Sequence, residues 1–201
     1  MTARAQKAPE NLDDAWIQTY TGRKISLLHP HPEDVDIIDI AQSLSKICRF
    51  GGHCQRFFSV AEHSVLVSFI CQGNSGRARQ HIALQGLLHD AAEAYIGDIV
   101  SPLKKLLPAV TEIEDKWLKA IGEAFGVGLS PLPDEVKQAD LISLRLEVID
   151  LMPPGLASEW RKMFPDEVCI DRRSLKNHDI EGSQPIDAYN IFMARFMYLQ
   201  P

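Results

Sequence analysis

Basic side chains are in the minority: 21 lysines and arginines stand against 27 aspartates and glutamates, for a formal net charge of -6. That deficit argues against a broad basic footprint, and with it nonspecific binding to a nucleic-acid backbone. A single phosphorylated small molecule stays compatible, because a metal ion and two or three local arginines can set the potential of a pocket. Cysteine is also sparse. Cys48, Cys54, Cys71 and Cys169 form no CxxC pair, which disfavours a thiolate zinc site or a disulfide scaffold and points to reduced thiols in a cytoplasm. No run approaches the roughly 18 apolar residues of a membrane span. Residues 1–14 lack the apolar core of a secretory signal. A soluble cytoplasmic protein without a membrane partner is therefore expected. Repeats are lacking too, which sets aside a solenoid. What is present, 201 residues with a hydrophobic fraction of 45%, suffices for one core, so a single domain over 1–201 is expected.

Hydrophobic spacing predicts an all-α fold, a compact single-domain helical assembly with a small N-terminal hairpin. Partly alternating residues from Trp16 to Leu28 flank Thr21-Gly22, which suggests that hairpin. His29 to Asp34, with two prolines, reads as a turn or linker. Helical spacing then runs from about Asp36 to Arg49 and ends at Gly51-Gly52. Ser59-Val60-Ala61-Glu62 matches a capping box opening a helix that carries His63 in its first turn. After Gly73 to Gly76, one helix spans Ile82 to Tyr95 and stops at Gly97. Ser101-Pro102 has the order of a cap followed by proline. Further helices are expected from Val110 to Phe125, from Asp134 to Leu151, over a turn at Trp160 to Phe164, and from Pro185 to Leu199. The stretch from Cys169 to Gln184 is polar and reads as loop.

His89-Asp90 interrupts the apolar face of its helix, and burying two such groups without partners would cost several kcal/mol. His63 and Asp140 sit in comparable settings. Each has a plainer reading: His63 as a satisfied polar group at a helix start, His89-Asp90 as a structural ion pair, Asp140 as a partner for Lys137 one turn away. Together the four read as a two-histidine, two-aspartate site for one divalent metal ion. Imidazole and carboxylate donors suit manganese, iron, cobalt or zinc, with magnesium compatible. Glu93 lies one turn beyond His89 and reaches the same cleft. Asp98, after the Gly97 break, fits a water-holding carboxylate or a cap equally well. The loop from Arg49 to Phe58 adds glycines, aromatics and the cations Arg49 and Arg56 just before His63. Arginine forks grip phosphate and aromatics cover sugars or bases, so Arg49, Phe50, His53 and Arg56 are substrate-binding candidates. Lys104 and Lys105 could add to the anion field, though paired lysines are commonly just solvated.

His63, then His89-Asp90, then Asp140 match, residue for residue, the pattern of the HD-domain phosphohydrolases, which the chain closely resembles. The surroundings, Ser59 to Ser64, Leu88 to Glu93, Gly97-Asp98-Ile99 and Ala139-Asp140, look like the branch containing bacterial 5'-deoxynucleotidases of the YfbR type. The resemblance covers about Asp34 to Leu151. It implies a helical HD-type fold and a metal-dependent nucleotidase that hydrolyses deoxynucleoside 5'-monophosphates. The metal ligands would be His63, His89, Asp90 and Asp140, and Glu93 and Asp98 would take the branch's catalytic positions. Arg49-Phe50 stands at the arginine-aromatic pair that holds phosphate and sugar, with phenylalanine replacing the branch's tryptophan. That change leaves sugar and base preference open. Related HD enzymes release triphosphate from deoxynucleoside triphosphates, which is the first alternative, and a noncatalytic nucleotide-sensing protein is the second. Related nucleotidases form dimers, so a homodimer is a compatible partner state beside the phosphorylated nucleoside substrate.

Overall fold

The computed structural model describes residues 15–73, 75–164 and 182–200. Strands β1 (Trp16–Gln18) and β2 (Lys24–Ser26) pair antiparallel with Ile17 opposite Ile25, as the alternation predicts. Two three-residue strands are barely stable alone. This pair is anchored by Ile25, which is buried. It is also tied by Thr21, whose amide and hydroxyl donate to the Asp39 carboxylate at 2.7 and 2.9 Å.

Asp39 lies on helix α1 (Ile37–Leu44), capped by Asp36, whose side chain accepts from the Ile38 amide. The expected helix to Arg49 therefore ends early. Cys48 instead bridges Ser59, and the Arg49 amide donates to the Phe58 carbonyl, so tertiary pairing overrides the helical spacing. Helix α2 (Val60–Gln72) opens on the complete capping box, with Ser59 and Glu62 bonded reciprocally. Helix α3 (Gln80–Leu88) and the short α4 (Glu93–Ile96) replace the single helix expected from Ile82 to Tyr95. Between them Ala91, Glu93 and Ala94 donate three residues back, a tightened turn that begins at His89.

Helix α5 (Ser101–Lys104) follows, with Val100 rather than Ser101 as its cap residue. Helix α6 (Pro108–Phe125) starts slightly before the expected residue and ends at Gly126. Helix α7 (Asp134–Leu151) has the boundaries its flanking prolines imply, and α8 (Ala157–Met163) is longer than the turn expected there. Most of the polar stretch from Cys169 lies outside the described residues. Helix α9 (Pro185–Leu199) has the expected bounds and buries Ala188, Phe192, Phe196 and Leu199, while Ile191 is exposed.

Helix α2 is central and packs on α3, α7 and α9. The main core gathers Ile40, Leu44, Leu87, Leu88, Ile121 and Phe192 around Trp117, which stacks on Tyr95 at 3.8 Å between ring centres. On α9, Arg195 is buried against α2. It donates to the Ser68 hydroxyl at 2.9 Å and lies 3.8 Å above the Phe69 ring. A smaller cluster of Phe58, Leu66, Leu146 and Leu151 forms an apolar floor against which Phe50 and Cys54 pack. Among the described residues, no helix is long and apolar enough to cross a membrane.

Candidate metal centre

Two helices and one tight turn bring the four expected ligands together. His63 comes from the first turn of α2, His89 and Asp90 from the turn after α3, and Asp140 from the middle of α7. The His63 and His89 Nε2 atoms face each other at 3.2 Å. Asp90 Oδ2 lies 3.4 and 3.2 Å from them, and Asp140 Oδ1 lies 3.2 and 3.8 Å away. Donors about 2.1 Å from a common ion are separated by roughly 3.0 to 3.4 Å, the edge lengths of an octahedron and a tetrahedron. Four of the five observed separations have that size, and the fifth, His89 to Asp140, is 3.8 Å. His63, His89 and Asp140 thus form a cluster that can coordinate a divalent ion, with Asp90 beside them.

The outer nitrogens decide which atoms are available. His89 Nδ1 lies 2.8 Å from the Gly86 carbonyl oxygen, which only accepts, so this nitrogen carries the proton. His63 Nδ1 lies 2.5 Å from Glu147 Oε1, and a carboxylate likewise takes the N–H. Both Nε2 lone pairs therefore point at the shared space, as they do where an outer acceptor fixes a metal-binding histidine. Gly86 is there for a steric reason as well. A Cβ at this position would lie 2.9 Å from Cys71 Sγ and 3.3 Å from Ser68 Cα, so only glycine lets α3 approach α2 this closely.

The electrostatics ask for positive charge. Burial alone would lower both histidine pKa values, yet the surrounding carboxylates outweigh it and push His89 up to about 10. His63 is likewise held well above the ordinary range: burial and Arg49 lower it, and Glu147, Asp140 and Asp90 more than compensate. Against the raising effect of burial, the imidazoles hold Asp90 and Asp140 below the ordinary carboxylate range. A divalent cation meets the same demand and would balance the two aspartates while the histidines stay neutral.

Glu147 is not among the residues that the sequence singled out. It is fully buried. Its carboxylate takes His63 Nδ1 and the Ser143 hydroxyl on one oxygen, and Arg49 Nε and Nη2, at 3.1 and 3.0 Å, on the other. Arg49 is thereby clamped, and its Nη1 reaches to 3.9 Å from Asp90 Oδ2. The signal available was spacing: Ser143 and Glu147 stand three and seven residues after Asp140.

Glu93 is buried at the start of α4, and its Oε2 has no hydrogen-bond partner among the described residues. Burial first, then the Asp90 and Asp98 charges, hold its pKa well above the ordinary value. Asp98 is half-buried, its pKa raised by burial and by Asp90 against the pull of Arg49 and Lys104. It caps no described helix, since α5 begins behind Val100. Phe50 adopts φ 56°, a left-handed conformation that costs a bulky residue about 1 kcal/mol or more. Its ring lies beneath the Arg49 guanidinium at 5.6 Å and meets Trp160 of α8 edge to face at 6.3 Å. His53 is exposed at the end of the loop. Arg56 is also exposed, and its Nη2 donates to the Asp150 carbonyl at 3.4 Å, at the far end of α7 from Asp134. The structure thus places Arg49 against the ligand cluster and leaves His53 and Arg56 on the loop's outer side.

Among known proteins, the Escherichia coli K12 protein YfdR is 43% identical over 183 residues, which cover 90% of this chain and 94% of YfdR. The chain belongs to the YfdR family. A Rhodobacter capsulatus protein is 34% identical over 139 residues, 66% of this chain and 71% of its own length. Beyond these, a 5'-deoxynucleotidase of Photobacterium profundum is 29% identical over 126 residues, 48% of this chain and 64% of that enzyme. No family model matches the sequence. The YfdR-family chain therefore combines a cluster fit for a metal with distant deoxynucleotidase relatives, consistent with phosphohydrolase chemistry in general.

Proposed function

We propose that this chain is an HD-type, metal-dependent phosphohydrolase that cleaves the phosphate monoester of deoxynucleoside 5'-monophosphates. The observation that carries the reading is the convergence of four donor atoms, together with a buried Glu93 oxygen that has no hydrogen-bond partner among the described residues. His63, His89, Asp90 and Asp140 would hold the ion. A divalent cation bound there supplies Lewis acidity toward water and the phosphoryl oxygens. Asp98 orients the attacking water. Arg49 offers Nη1 to a phosphoryl oxygen because its other nitrogens are fixed by Glu147, and such preorganisation is what stabilises developing charge. Phe50, with Trp160 at its edge, flanks the sugar. Glu93 keeps its proton where an ordinary carboxyl would lose it and can deliver it to the departing 5'-oxygen. The 5'-deoxynucleotidase relatives support the choice of substrate.

The test is a screen of deoxynucleoside mono- and triphosphates and their ribonucleotide counterparts on protein reconstituted with manganese, cobalt, iron, zinc or magnesium, with products resolved. Inorganic phosphate released from the monophosphates is the expected result. Faster release of intact triphosphate would move the assignment to a triphosphohydrolase. Failure to bind any of these ions would leave a nucleotide-sensing protein.

A further inference from the structure

Cys48 and Cys54 bracket the loop that carries Arg49, Phe50 and His53, and their Sγ atoms lie 3.7 Å apart. That is contact distance between two thiols, and a disulfide brings sulfurs to about 2.0 Å, so a shift of under about 2 Å separates the two states. Neither cysteine is fully buried, whereas Cys71 is. The facing is also held in place. Cys48 bridges Ser59, the Arg49 amide bonds to Phe58, and the Gln55 amide donates to the Leu151 carbonyl at 2.8 Å, so both ends of the loop are pinned.

We propose that Cys48 and Cys54 form a reversible disulfide, a modification site for peroxide-class oxidants, that re-aims Arg49 and so closes down the substrate loop. The effect on turnover rests on the phosphohydrolase reading above; the disulfide itself does not. One thiolate attacks a peroxide oxygen and breaks the O–O bond, giving a sulfenic acid and, once the leaving oxygen is protonated, water. The second thiol attacks that sulfur and expels its hydroxyl as a second water. Two thiol hydrogens and one hydrogen peroxide are consumed, and two electrons pass from the sulfurs to the peroxide.

The loop has little slack to absorb the change. Phe50, Gly51 and Gly52 all sit at positive φ, at 56, 58 and 81°. In the reduced form the Cys54 thiol points at the Arg49 carbonyl, 3.8 Å away. Oxidation removes that proton and draws the two loop ends together, so the Arg49-Phe50 peptide turns and the guanidinium leaves its two bonds to Glu147.

The experiment treats the full chain with stoichiometric hydrogen peroxide, digests it with trypsin without reductant and weighs the peptides. Cleavage after Lys46, Arg49 and Arg56 separates the two cysteines, so the expected product is residues 47–49 linked to residues 50–56, two hydrogens lighter than the free pair. KM for the deoxynucleoside monophosphate should rise at least about tenfold with metal content unchanged, by analogy with a lost charged phosphate contact. Dithiothreitol should reverse both changes, and C48S and C54S should show neither. Absence of the link, or pairing through Cys71 or Cys169 instead, would overturn the proposal, and so would a formed link that leaves KM unaltered. If the reduced protein hydrolyses no nucleotide, the hydrolase reading fails while the link is still weighed. Amide exchange over residues 49–53 then decides the loop's response: altered protection supports it, unaltered protection overturns it.

Discussion

One carboxylate, Glu147, serves the candidate metal ligand His63, the hydroxyl of Ser143 and the arginine that faces the cluster. Removing its charge should therefore damage two functions at once. Outer-shell partners of metal-binding histidines are worth roughly 10- to 100-fold in affinity. E147Q is expected to weaken metal binding by about that factor in calorimetry and to raise KM through the freed Arg49, whereas S143A should do neither strongly. Equal loss in both variants would show the network acting as general packing. Glu93 should behave differently, because its buried Oε2 makes no hydrogen bond among the described residues and burial with the Asp90 and Asp98 charges holds its pKa well above the ordinary value. E93Q keeps the shape and loses the transferable proton, so kcat should fall by about 10²- to 10⁴-fold with metal occupancy retained. Parallel loss of metal would place Glu93 among the ligands. The convergence of His63, His89, Asp90 and Asp140 was legible because each is a polar residue in an apolar helical setting. Glu147 was not, since a glutamate on a helix face ordinarily reads as a solvated charge.

At the level of elements, the close approach of α2 and α3 sets where His89 points. Gly86 supplies both the space and the carbonyl that fixes the His89 tautomer. A methyl group there meets sulfur and backbone at once, and overpacking of this kind costs about 1 to 3 kcal/mol. G86A should lower the melting temperature and, by pushing α3 outward, weaken metal binding. Adding C71A removes the nearest clash at 2.9 Å but leaves the backbone contacts at 3.3 Å, so the double variant should recover part of the stability. Simple additivity of the two losses would sink this account. Sequence pattern located α2, α7 and α9 well because capping boxes and prolines are local signals. It overran α1 because the pairing of Cys48 and Arg49 with Phe58 and Ser59 is a tertiary bond. It joined α3 to α4 because the tightened turn at His89 keeps helical spacing while changing the hydrogen-bond ladder.

For the whole molecule, buried ionisable groups tie stability to pH at both ends of the scale. Glu147, buried beside His63 and Arg49, has its pKa brought down to about 2 despite the opposing effect of burial. The native state thus holds this proton less tightly than an unfolded chain, where a glutamate titrates near 4.5. Its contribution is present above that value and is lost as pH falls toward 2. Cys71 does the opposite: burial pushes its thiol up to about 12 from an ordinary 9, with smaller opposing pulls from Arg79 and Arg195. Here the native state keeps a proton that the unfolded chain gives up, so the thiol's contribution is full below pH 9 and declines as pH rises toward 12. Urea unfolding of the chelated protein across pH should therefore show declines on both sides, to which Asp90 and Asp140 add at acid pH and His63 and His89, both held high, add from about pH 6.5 upward. E147Q should shrink the part of the acid decline between about pH 4.5 and 2, and C71A the part of the alkaline decline between about pH 9 and 12. If C71A leaves the decline between pH 9 and 12 undiminished, the burial of that thiol between α2 and α3 has no bearing on the molecule's upper pH limit.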